Sequence, residues 1–211
     1  MASLRELSAG AAPLLLLDAA SSRIQAAIVA RDMDLRWACT DGVEAGEAVF
    51  KNVVELGIEL GSVSGFIFCE GPGSILGIRT VASAIRTWNV VRERPVWTYQ
   101  SLQVVAEASG DPSLAVIADA RRNTWHLARA GQPLQRVATD ALPTSPLAMP
   151  EGFRQWSTLS GRELPRPVGY RLDTLLPMVA DLDLFQPCAD PDAFLHEQPS
   201  FAMWTPEIHR A

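Results

Sequence analysis

Histidine and cysteine are scarce in this sequence, and their placement excludes most metal chemistry. The three histidines are His126, His196 and His209. No two stand four residues apart, so no helical pair can hold a metal ion. Cys39, Cys69 and Cys188 are odd in number and widely spaced. They form neither a ligand pattern nor a disulfide framework, which points to a reducing compartment and a cytoplasmic location. Long apolar runs are missing too. Ala9–Leu17 is short, follows Glu6 and is cut off by Asp18, so it reads as neither a signal peptide nor a membrane span, which needs about 18 apolar residues. Positive charge is in deficit: 18 Lys and Arg against 24 Asp and Glu leave a net charge of −6. A chain with that balance has no overall field to draw in a phosphate backbone, although a local basic patch stays open. No Gly-Lys-Ser/Thr completes a Walker A loop, no serine sits in a nucleophile elbow, and no triad is visible.

What remains is an ordinary globular composition, 48% hydrophobic and 20% charged over 211 residues. A chain of this length buries roughly 70% of its unfolded surface and folds without staples. Residues 1–12 read as a flexible leader. Leu14–Leu17 is a buried strand ending at Asp18. Ala19–Ser22 are small enough for a tight connection. Ile24, Ala26 and Ile28 then alternate with their neighbours, as do Leu35, Trp37 and Cys39, which predicts an antiparallel meander of three strands. Phe50, Val53, Val54, Gly57 and Ile58 follow helical spacing, giving a helix over Val43–Leu60 stopped by Gly61. Phe66–Cys69 is a further strand, Leu76–Val91 a helix, Val96–Tyr99 a strand and Leu102–Ala108 a helix. Trp97 and Tyr99 share one face of their strand and read as core.

Gly110, Asp111 and Pro112 punctuate the middle. Beyond them LAVIADARRNTWHLARA echoes LLLLDAASSRIQAAIVA of the first half. In each, an apolar strand ends at an aspartate, Asp18 or Asp119, and a turn leads to an alternating strand. This duplication predicts two related lobes, over residues 13–109 and 110–211. Prolines break up the second. Trp156–Leu159 reads as a short strand before Gly161, and Asp173–Ala180 as a helical turn interrupted by Pro177. His126 reads as a sheet residue.

Gly71, Pro72, Gly73 and Ser74 lie between a strand and a helix, with Gly77 and Arg79 following. The glycines permit a tight turn and close backbone approach. The next helix N-terminus could attract an anion, but the third glycine comes one residue late for a dinucleotide fingerprint, and a rigid turn packing helix on strand is the better local reading. Asp18, Ser21, Asp119 and Arg121 are weak candidates for phosphate-binding turns. The turn after Asp18 lacks the glycine that commonly lets such a loop wrap phosphate, and each aspartate can equally satisfy turn amides.

In order along the chain, these pieces resemble the TsaB (YeaZ) family. The motif GPGSILGIR, residues 71–79, is similar to that family's Gly-Pro-Gly-Ser-Phe-Thr-Gly-Val-Arg, with Ile75-Leu76 in place of Phe-Thr. Asp119-Ala120-Arg121 matches the opening of the family's second lobe. The family's terminal Pro-x-Tyr-Leu-Arg is reduced to Pro206-Glu207-Ile208-His209-Arg210. The resemblance implies an α/β actin-like ATPase (ASKHA, ribonuclease H-like) fold with a reduced second lobe. It also implies a non-catalytic subunit of the complex that makes threonylcarbamoyladenosine in tRNA. Its partners would be a TsaD-like catalytic subunit, which holds the metal, a TsaE-like ATPase, and a second copy of the chain as a dimer. ATP and metal would reside in those partner subunits, with no cofactor in this one, and tRNA would be met only through the complex. The competing readings are a small-molecule kinase or ATPase of the same superfold, using Asp18 and Asp119, and a dinucleotide-binding domain using the loop at Gly71.

A partner surface is expected on the two long helices. Gly77, Thr80 and Ala84 stand at i, i+3 and i+7, and small residues let a second helix approach. Gly46, Phe50, Val53 and Gly57 extend that surface onto the preceding helix. The competing reading is that these residues pack the two helices against each other.

Overall fold

The computed structural model describes residues 1–159, 161 and 163–194. Its opening residues are not a flexible leader. Leu4–Ala11 forms helix α1, with Ser3 as N-cap: the Ser3 hydroxyl accepts from the Glu6 amide and the Ser3 amide donates to the Glu6 carboxylate. This reciprocal box satisfies two otherwise orphaned donors. Leu4 and Leu7 are buried, and Ala2 exchanges backbone bonds with Phe185.

The predicted meander follows as β1 (Leu14–Asp18), β2 (Arg23–Val29) and β3 (Leu35–Asp41), antiparallel throughout. Helix α2 spans Ala45–Glu55, shorter than the apolar spacing suggested. It ends early because Gly57, not Gly61, takes the left-handed conformation (φ 62°) that closes a helix without a Cβ penalty. Then come β4 (Gly65–Gly71), α3 (Ile75–Val91), β5 (Val96–Gln100) and α4 (Ser101–Ser109). The second half supplies β6 (Ala115–Asp119), β7 (Thr124–Ala128), β8 (Gln135–Ala138), β9 (Leu147–Pro150), β10 (Arg166–Val168), α5 (Leu172–Met178) and β11 (Gln186–Pro187).

The two sheets repeat one topology. The first runs β11-β5-β4-β1-β2-β3 and the second β10-β9-β6-β7-β8. In each, a central strand pairs antiparallel with the next strand and parallel with a later one: β1 with β2 and β4, β6 with β7 and β9. Asp18 and Asp119 therefore occupy the same place, the last residue of the central strand, as the sequence echo predicted. The second copy is slimmer. Where α2 stands between β3 and β4, the step from β8 to β9 carries a single 3-10 turn, Thr139–Ala141. No helix is found between β9 and β10 among the described residues. The chain closes by sending β11 back to the edge of the first sheet, antiparallel to β5.

One continuous core joins α1, the first sheet, α2–α5 and part of the second sheet. Leu15, Leu17, Phe66 and Phe68 are fully buried, the near-continuous apolar pattern of strands covered on both faces. Trp125, Ile117 and Leu127 centre a second cluster. Among the described residues no helix is long and apolar enough to cross a membrane.

Candidate functional site

The loop 71–74 and the turn after Asp18 are built against each other. The Ser74 amide donates to the Ala20 carbonyl at 2.7 Å, and the Ser74 hydroxyl caps α3 by accepting from the Gly77 amide. A Cβ at Gly73 would lie 2.4 Å from the Ala20 carbonyl oxygen, and one at Gly77 would lie 2.3 Å from that of Ala19. Only glycine admits such backbone proximity. The Ser101 hydroxyl fixes the loop from the far side, donating to the Pro72 carbonyl at 2.5 Å. Two amides at the start of α3 are thus committed within the chain, that of Ser74 to the Ala20 carbonyl and that of Gly77 to the Ser74 hydroxyl, as in a turn that packs helix on strand. Arg79, its last residue, forms an ion pair with Asp192 at 3.2 Å, both side chains half exposed. A pair so exposed contributes little stability.

Asp18 points inward. It is fully buried; Oδ1 accepts from the Ala20 amide at 2.9 Å, and Oδ2 accepts from the hydroxyls of Tyr99 and Tyr170, both at 2.6 Å. Burial raises its pKa above the ordinary aspartate value, and the tyrosine and amide bonds only partly oppose that. Burial likewise lifts both phenols and the neighbouring Cys69 thiol, with the charge of Asp18 adding to it. The second half of the chain closes this turn from above. The Ser22 amide donates to the Gly152 carbonyl at 2.9 Å, and Gln25 exchanges bonds with the backbone of Tyr170 and Leu172. Ser21, the other weak candidate here, spends its hydroxyl on the Arg23 backbone.

Asp119 is the more open counterpart. Oδ1 accepts from the Arg121 amide at 2.6 Å, and Oδ2 accepts from the amides of Trp156 and Ser157. Burial pushes its pKa up, but the bonds from Ser157, Arg121 and Trp156 outweigh that and hold it below the usual range. Those bonds explain why Trp156–Leu159 is not the predicted strand: its first two amides go to a carboxylate and not to a neighbouring strand. Arg121 lies over the Trp156 ring, 4.5 Å from its centroid. His126 is a half-buried residue of β7, opposite Ala118 and Arg136. His196, His209 and the 206–210 tail lie outside the described residues. Among those described, no three His, Cys, Asp or Glu side chains gather as a metal site.

The predicted partner surface changes membership. Gly77 is buried against Ala19, Val53 is buried beneath α2, and Ala84 is 6% exposed, so these three serve the chain's own core. Gly57 is the stop of α2. Gly46, Phe50 and half-buried Thr80 stay at the surface, Phe50 edge-on to Trp88 of α3. The residues that the spacing argument missed are Val54, Leu76 and Val90, all large, apolar and exposed. On α3, Leu76, Thr80, Ser83, Thr87 and Val90 stand at i, i+4, i+7, i+11 and i+14, the repeat of a coiled-coil seam. The hydroxyls of Thr80 and Thr87 are bonded back to the carbonyls of Leu76 and Ser83.

Residues 44–155, just over half of the chain, match the family model of TsaD, tRNA N6-adenosine threonylcarbamoyltransferase. The chain belongs to the TsaD family. Two similar solved structures come from Pseudomonas aeruginosa. YeaZ superposes with a TM-score of 0.57 at 18% identity, covering 78% of this chain and 90% of that one. A protein described as similar to peptidase YEAZ gives 0.55 at 18% identity, covering 79% and 89%. No curated protein matches the sequence significantly. The actin-like fold implied by GPGSILGIR, with its doubled sheet, is that of this TsaD-family chain and its YeaZ relatives.

Proposed function

We propose that this TsaD-family chain is the non-catalytic, TsaB-type partner subunit of the tRNA threonylcarbamoyladenosine-forming complex. It supports a TsaD-like catalytic subunit, with a TsaE-like ATPase and the reaction's ATP and metal held by those partners. The observation that carries this reading is the exposed seam of α3. Five residues in coiled-coil repeat run its full length, and exposed Phe50 of α2 packs edge-on against Trp88 of the same helix. Leu76 is 73% and Val90 87% exposed. Apolar surface patterned in this way marks a protein contact, and helices with small seam residues pack closely.

The Asp18 turn supports the same reading. In an actin-like nucleotide enzyme this turn approaches phosphate; here its carboxylate is buried under two tyrosines and the Ser74 amide of the adjoining loop is bonded to Ala20. The glycines of the loop at Gly71 serve close packing against Ala19 and Ala20, which accounts for them without a dinucleotide.

Analytical ultracentrifugation of the purified chain mixed with the TsaD-like subunit of the same cell tests the proposal. A stable mixed complex is expected, lost on Leu76→Arg while the lone variant melts as wild type does. A chain that never associates with that subunit would end the proposal.

A further inference from the structure

We propose that the cleft between the β6–β7 turn and the 156–158 segment is an RNA-binding subsite. It would take the phosphate backbone and one unstacked base of tRNA, so that this subunit itself contacts the substrate of the complex. The inference rests on the threonylcarbamoyladenosine reading above.

The cleft is open, about 680 Å³, and lined by Arg121, Arg122, Asn123, Trp156, Ser157 and Thr158. Arg121, Arg122 and Asn123 are exposed, and Trp156 is 55% exposed. Guanidinium groups suit phosphate because they are planar, permanently charged and offer several donors. Single-stranded RNA is otherwise held by stacking its bases on aromatic rings or guanidinium planes. Here both kinds of surface are already assembled, with the Arg121 guanidinium lying on the Trp156 ring at 4.5 Å. Arg122, beside it, projects from the turn as a second cation.

The two walls are fixed to each other by Asp119, whose carboxylate binds the Arg121 amide on one side and the Trp156 and Ser157 amides on the other. The cleft is therefore preorganised, which lowers the cost of binding. The turn is held under backbone strain: Arg121, Arg122 and Asn123 have φ of 64°, 50° and 57°. Left-handed backbone is unfavourable for a residue with a Cβ, and strain of that kind collects at functional sites. Charge is segregated in the same sense. Residues 115–158 hold five arginines and three acids, net +2, in a chain whose net charge is −6. Of those arginines, Arg121 and Arg122 line the cleft itself, and paired exposed cations are the footprint an acidic protein needs to meet RNA.

The test uses the reconstituted complex and unmodified tRNA made by transcription, with fluorescence anisotropy over a range of salt. Arg122→Glu changes an exposed side chain and is expected to leave melting and subunit assembly unchanged. It should weaken tRNA binding roughly tenfold or more and flatten the salt dependence by about one ion. Trp156→Ala should also weaken binding, roughly tenfold, through lost stacking. If the wild-type complex forms threonylcarbamoyladenosine while both variants bind tRNA as wild type does, the subsite is refuted and the functional reading stands. If both variants keep tRNA but lose a protein subunit, the cleft is a protein contact and the proposal is equally refuted. A wild-type complex that modifies no tRNA would strike the functional reading itself.

Discussion

The Tyr170 hydroxyl donates a 2.6 Å hydrogen bond to Asp18, 152 residues earlier in the chain. The contact joins the end of β1 to the segment leading into α5, and it seals a turn that elsewhere in the superfold faces nucleotide. Tyr99 shares the same carboxylate oxygen. Asp18→Ala would leave two buried phenols and the Ala20 amide without their acceptor. Unpaired buried groups cost about 1–3 kcal/mol each, so a large loss of stability, about 3 kcal/mol or more, is expected in urea titration. An Asp18 that served only surface chemistry would show almost none.

The pKa of Asp18 gives that buried carboxyl a pH signature. Its folded value is raised, so its favourable contribution is full below the unfolded aspartate value of about 3.9 and is lost as pH rises through the folded value. Wild type should therefore lose stability relative to Asp18→Asn as pH climbs above about 4. Asp119 behaves oppositely. Its folded pKa is depressed, so its contribution is present above about 3.9 and disappears as the solution is acidified through the folded value. The stability of wild type relative to Asp119→Asn should be constant near neutral pH and begin to fall as melting is followed below about 4.

Two alanine substitutions separate close packing from open helix surface. Gly77→Ala places a Cβ against the backbone oxygen of Ala19, a fixed atom that cannot swing aside. Overpacking of this kind costs about 1–3 kcal/mol. Gly46→Ala meets nothing within 4 Å on an exposed turn of α2. It should be neutral or stabilise by up to about 1 kcal/mol. Both are read by chemical denaturation of the lone chain.

The surface and buried sides of the long helices should answer differently to charge. Phe50 is half exposed, so Phe50→Arg should shift the lone chain's stability by less than about 1 kcal/mol. It should weaken partner binding by about 3–5 kcal/mol if the arginine is buried unpaired in the complex. Ala84→Arg forces a long cation into the core and should lower the melting temperature of the lone chain sharply. Calorimetry and titration with the TsaD-like subunit measure both quantities.

Much of the architecture was legible in the sequence. Apolar runs ending at Asp18 and Asp119, each followed by an alternating strand, announced the two central strands and their hairpins. The GPGSILGIR loop announced a rigid turn between strand and helix. The partner surface was harder, because small residues at helical spacing serve an internal contact as readily as an external one. Gly77 and Ala84 turned inward, since the β1–β2 turn and the chain's own core needed their small size. The first helix is signalled by Ser3 and Glu6 at capping-box spacing, a sign that outweighs the leader-like look of residues 1–12. Tyr170 and Trp156 gave no local sign of their roles, because their partners Asp18 and Arg121 are set by tertiary contact between segments far apart in sequence.

In the proposed role this chain serves threonylcarbamoyladenosine formation without carrying out the chemistry. Mass spectrometry of nucleosides from bulk tRNA, in cells depleted of the chain, tests it most directly. A marked fall in threonylcarbamoyladenosine is expected, restored by the wild-type chain and not by Leu76→Arg. Unchanged levels after complete depletion, in a cell with no second copy, would contradict it.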